Sequence, residues 1–65
     1  MITGRQLSRN NHGAWAELTA AVAIERGNLC AVARRLGVPL RTVQHWHAIH
    51  ARLRAVVAYH RRKAT

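Results

Sequence analysis

The stretch LCAVARRLGVPLRTVQHW, residues 29–46, decides the fold. Two short runs of apolar residues at helical spacing meet at one glycine. In the first run Leu29, Val32, Ala33 and Leu36 share a face. Asn28 is a good N-cap ahead of them, and Gly37 stands where a left-handed residue ends a helix. Pro39 suits the first turn of the next helix. Along that helix Leu40, Val43, Trp46, His47 and His50 share one side. Arg41, Gln44, His45, Ala48 and Arg52 share the other.

These spacings are those of a tight helix–turn–helix. Ala33 is small where the second helix crosses the first. Gly37, four residues on, supplies the positive φ of the turn. Val38 plugs the corner, and Val43 and Trp46 point inward from the second helix. Leu29, Val32 and Leu36 complete the wall.

The segment GNLCAVARRLGVPLRTVQHW resembles the Fis-type helix-turn-helix DNA-binding family. The shared features are Gly-Asn before the first helix, Ala and Leu-Gly around the turn, and Thr-Val in the second helix. It is also similar to excisionase and MerR-like motifs. The resemblance covers residues 27–46 and the helix before them. Residues 47–65 depart from it, because the Fis-type pattern often stops soon after the second helix.

The resemblance implies that the second helix lies in a major groove with its N-terminal part at the base edges. Arg41 would then pair with guanine and Gln44 with adenine. His45 and the flanking Thr42 complete the base-contact set, although the Thr42 hydroxyl also suits a phosphate. Ala48 is small enough to meet a thymine methyl. Asn28, Arg34, Arg35, Arg52 and Arg54 are the expected phosphate contacts, with the amide end of the helix at Asn28 and Leu29 as part of that site.

The charge agrees. Eleven Arg and Lys stand against two Glu, for a net charge of +9. Residues 1–25 balance, with Arg5 and Arg9 against Glu17 and Glu25. Residues 26–65 carry nine cations and no acid. That asymmetry points to a polyanionic partner. Ten of the eleven cations are arginine, whose planar fork suits phosphate and guanine.

At 65 residues the chain is one small domain with a thin core. Twelve alanines inflate the apolar fraction of 49%, Leu, Ile and Val number 15, and Phe is absent. A core of this size seldom supplies more than about 3–5 kcal/mol without a staple. Cys30, the single cysteine, excludes an internal disulfide. A homodimer is therefore expected. Its interface would use Ile24, beside Ala16 and Ala20, or the late stripe of Leu53, Val56, Val57 and Tyr59, with the C-terminal stripe preferred.

The remaining pattern predicts an all-α fold. Residues 1–12 read as a flexible N-terminal arm with at most a turn of helix, and residues 13–65 as the helix-turn-helix domain. A helix over about 14–26 places Trp15, Leu18 and Val22 on one stripe and ends at Gly27. Helices follow over about 29–36 and 39–50, with a helical extension to about 62. Whether 39–62 is one helix or two stays open.

Other function classes fit poorly. No apolar run approaches the roughly 20 residues of a membrane span, and MITGRQLSRNNHG lacks the apolar core of a signal peptide. A cytoplasmic, nucleoid-associated protein is expected, and one free cysteine suits a reducing compartment. His47 and His50 share a face with Val43 and Trp46, and no Cys-x-x-Cys accompanies them, so no metal or other cofactor is expected. Two glutamates, no nucleophile–base pair and no glycine-rich phosphate loop argue against an enzyme and against a small-molecule ligand. Residues 46–63 are cationic and partly amphipathic, but the turn grammar has no purpose in a membrane peptide. Three aromatics, both tryptophans inward, offer little stacking surface for single-stranded RNA.

The expectation is sequence-specific binding of double-stranded DNA by a small dimeric protein, a bacterial or phage transcriptional regulator. The alternatives are a DNA-architectural, recombination-directionality or packaging factor, or a basic protein-interaction module.

Overall fold

Three side chains start three helices in the same way. Thr3, Asn11 and Asn28 each accept a hydrogen bond from the backbone N–H three residues on, at Gln6, Ala14 and Ala31. Such a cap satisfies one of the four amides that a helix start leaves without a partner. In the computed structural model, which describes residues 2–64, these starts define α1 (Gly4–Ser8), α2 (His12–Ile24) and α3 (Leu29–Leu36). Helices α4 (Leu40–Ile49) and α5 (Ala51–Ala64) follow. The fold is all-α, with no strand among the described residues.

The core gathers one face of each helix. Leu18 and Val22 of α2, Val32 of α3 and Val43 of α4 are fully buried. Trp15 and Trp46 lie among them, with Ala21 and Ala33 as the small residues between helices. The inward positions read from the sequence for α2, α3 and the start of α4 are the ones observed.

The N-terminal segment is not the loose arm that its polar composition suggests. Thr3 and Gln6 form a reciprocal capping box, with bonds of 3.2 and 3.0 Å. Ile2 and Leu7, its two large aliphatics, are both buried. The Trp15 indole donates a hydrogen bond of 3.1 Å to the Leu7 carbonyl. Two buried side chains and one buried bond dock residues 2–11 onto α2.

Two left-handed turns shape the middle of the chain. Helix α2 ends at Ile24, two residues before the expected end, because Arg26 (φ 55°) and Gly27 (φ 81°) both turn left-handed. Helix α3 ends at Gly37, φ 71° and ψ 29°, as its glycine predicts. There Val38 N–H donates to the Ala33 carbonyl at 3.0 Å, the six-to-one bond of a Schellman turn.

The long C-terminal stretch is two helices. His50 adopts an extended conformation, φ −108° and ψ 105°. Its carbonyl accepts from the N–H groups of Leu53 and Arg54, which starts α5. The Arg54 guanidinium reaches back to the carbonyls of His47 and Ala48, at 3.1 and 2.6 Å. It thereby serves acceptors that the end of α4 leaves open. The break lets α5 fold back across α2 and α4.

This reversal corrects the expected dimer surface. Leu53 and Val57 are each 1% exposed within the single chain, and Val56 packs against the same core. They are core residues of the monomer. Ile49, just before the break, is 54% exposed, so the apolar face of α4 does not run on in phase into that of α5.

Two glycines separate conformational from steric demand. A Cβ on Gly37 would meet nothing within 4 Å, whereas one on Gly27 would lie 2.6 Å from Arg61 Cγ and 3.0 Å from the Val57 carbonyl oxygen. Gly37→Ala should therefore cost about 1–2 kcal/mol, the left-handed penalty alone. Gly27→Ala should cost more, and urea unfolding of both variants gives the comparison. His50 Nε2 is buried without a hydrogen-bond partner, while its ring meets Trp15 edge-on at 5.6 Å. His50→Phe keeps the ring contact and removes the orphan nitrogen, so it should raise stability by about 1 kcal/mol. An unchanged or lower urea midpoint would contradict that.

Candidate nucleic-acid interface

Helix α4 is held by its inner face and open on its outer one. Val43 and Trp46 are buried, and Leu40 packs beside them. Arg41, Gln44, His45 and Ala48 are all exposed. Positions spaced by three and four share a helix face, so these four form one continuous strip. No hydrogen bond or ion pair of the Arg41, Gln44 or His45 side chains is found among the described residues. Thr42 is half-buried on the flank of that strip. Pro39, at the N-cap position, makes no side-chain cap, so no side chain closes off the first-turn amides of α4.

The expected phosphate contacts divide. Arg34 is exposed, and its side chain makes no hydrogen bond, ion pair or ring contact among the described residues. Arg35 donates from Nε to Glu25 Oε2 at 2.7 Å, with 45% and 24% of the two side chains exposed. A pair this open contributes under about 1 kcal/mol, but it does set the direction of the guanidinium. The Arg52 guanidinium lies 4.5 Å from the centre of the Trp15 ring, a cation–π contact. Arg54 caps α4, as described above. The side-chain oxygen of Asn28 is taken by the Ala31 amide at 3.3 Å. Of the five, Arg34 alone has a side chain wholly at liberty. Arg35, Arg52 and Arg54 present charges held in place by neighbours.

The capping role of Arg54 and the stacking of Arg52 depend on the break at His50. No residue type at that point marks a break, since neither Gly nor Pro is present. Arg5, Arg9 and Arg26 are further exposed cations outside the expected set.

An open groove of about 420 Å³ is lined by Glu25, Ala31, Arg34 and Arg35, and its one acid is already paired. Among the described residues no three His, Cys, Asp or Glu side chains group closely enough to hold a metal ion. Cys30 is a free, exposed thiol. No helix among those residues is long and apolar enough to cross a membrane.

Compared with protein-family models, curated proteins and solved structures, the chain matches none.

The different surroundings of the arginines predict different consequences for stability. Arg54→Ala removes two hydrogen bonds from a charged donor to the carbonyls of α4, and should cost about 1 kcal/mol. Arg34→Ala should stay within about 0.5 kcal/mol of the parent, as surface substitutions do. Thermal unfolding of the two variants under identical conditions measures the difference.

Proposed function

We propose that the chain binds double-stranded DNA sequence-specifically, with α4 in the major groove, and regulates transcription by occupying its site. The observation that carries this reading is the strip of Arg41, Gln44 and His45. It is exposed and without internal partners, on a helix whose opposite face is locked in the core. Arg41 offers a bidentate pair of donors to guanine, and Gln44 a donor and an acceptor to adenine. Arg34 and the fixed charges of Arg35, Arg52 and Arg54 would set the register on the phosphates.

One such helix reads only a few base pairs, so the reading includes two copies on two half-sites about one helical turn apart. Leu53 and Val57 are unavailable to such an interface. Ile24 and Tyr59, 59% and 50% exposed, remain for it. A bacterial or phage regulator at the nucleoid is the setting that follows.

Selection of a preferred duplex from random sequence, followed by titration at several salt concentrations, tests the proposal. The affinity should fall steeply with salt, with a log–log slope of about −0.9 per phosphate contact. Arg41→Ala should lose about 1–3 kcal/mol of discrimination on the selected site. Arg34→Ala should weaken selected and random duplexes alike. Equal losses for Arg41→Ala on both duplexes would overturn the assignment of α4. Absence of duplex binding at low salt would turn attention to a protein partner of the same basic face.

A further inference from the structure

A second cationic site lies at the other end of α3 from the Gly37 turn. A groove of about 310 Å³ is lined by Ala23 at the end of α2, Arg26 in the following turn, and His60 and Lys63 near the end of α5. No acid lines it. Glu25, adjacent in sequence, is drawn away by Arg35 at 2.7 Å. Arg26 stands at φ 55°, a conformation uncommon for a residue with a Cβ. The turn therefore fixes where this side chain departs from the backbone.

The opposite wall is also built. Arg61 Nε donates to the Gly27 carbonyl at 3.0 Å and ties α5 to the turn. The absence of a Cβ on Gly27 permits that approach. Tyr59 meets the His60 ring edge-on at 5.1 Å, and Lys63 Nζ lies 5.7 Å from the centre of the Tyr59 ring. One half-exposed tyrosine thus organises both α5 residues of the groove. This gives Tyr59 a task inside the single chain that its apolar spacing did not reveal.

We infer that Arg26, His60 and Lys63 form a cradle for a phosphodiester group. Two permanent cations and one imidazole line it, with no carboxylate among the described residues that do. An anion with several acceptor oxygens satisfies such a set. Arg26 precedes α3 and α4 follows it, so the eight residues of α3, about 12 Å of helix, stand between that side of the cradle and the start of α4. The natural ligand is a backbone phosphate of the same duplex, beyond the bases that α4 meets. That source rests on the proposed reading of α4, whereas the anion site itself does not.

Two measurements on the full chain separate these claims. The first is an NMR titration of the free protein with inorganic phosphate, with chloride as the control. Signals of Arg26, Gly27, His60 and Lys63 should move under phosphate, and the movement should vanish in the R26Q/K63Q variant. Absence of movement, or movement spread evenly over all arginines, would overturn the cradle and leave these cations as caps of the two helix ends. The second is the salt dependence of duplex binding. R26Q/K63Q should lower the slope by about 1, the share of one phosphate, while leaving sequence preference unchanged. An unchanged slope would overturn the assignment of the anion to duplex DNA. Phosphate-induced shifts in a protein that binds no duplex would uphold the anion site and refute the groove reading of α4. The parent titration decides the anion site even if the double variant fails to fold.

Discussion

The Trp15 indole holds this domain together. Its ring is buried among the helices, its N–H secures α1 through the Leu7 carbonyl, and it meets His50 at right angles and lies beneath Arg52 from the α4–α5 corner. One side chain on α2 thus touches the beginning of the chain and its late reversal. In a protein with twelve alanines and no phenylalanine, few side chains are large enough to span such distances. Trp46 is the other. It closes the inner face of α4, and its indole nitrogen would lie 3.1 Å from a Cβ placed on Gly4. The two tryptophans let a thin apolar inventory enclose a core that includes Ile2 and Leu7.

The same economy governs the charges. Nine cations in residues 26–65 have no acid among them, yet several have structural work. Arg54 completes one helix end, Arg61 ties a turn, Arg35 meets Glu25, and Arg52 covers a ring. Arginine can do this and keep its charge, because its five donors point in several directions. The surface field of the domain is therefore carried partly by groups fixed in place. Arg41 and Arg34 are left as the long side chains free to adapt on either side of the Gly37 turn.

Much of the central architecture was legible in the sequence. Asn28 before an apolar run, Gly37 after it and Pro39 beyond are local signals, and each acts within a few residues of where it stands. The outer strip of α4 followed from periodicity alone. The N-terminal docking was not legible, because two aliphatics in a polar segment show no period. Their burial depends on a hydrogen bond to a tryptophan eight residues away. The reversal at His50 left no mark either. It is made by backbone geometry and by Arg54, a residue that looks like any surface cation. For that reason Leu53 and Val57 read as an unpartnered stripe, although the returning helix places them in the core.

The return of α5 also bears on the order in which the chain assembles. The main pairings among α1 to α4 join helices adjacent in sequence, although Trp46 also reaches α1 beside Gly4. The Arg61–Gly27 bond joins residues 34 apart, and loop-closure entropy disfavours such contacts until other interactions support them. A ribosome releases α4 before α5, so the outer strip of α4 is synthesised before the helix that completes its core. Leu53 and Val57 complete a core whose other members come from the earlier helices and from Ile2. Topology thus gives the 14 residues of α5 the part of a latch, closing from outside a core that the earlier helices assemble.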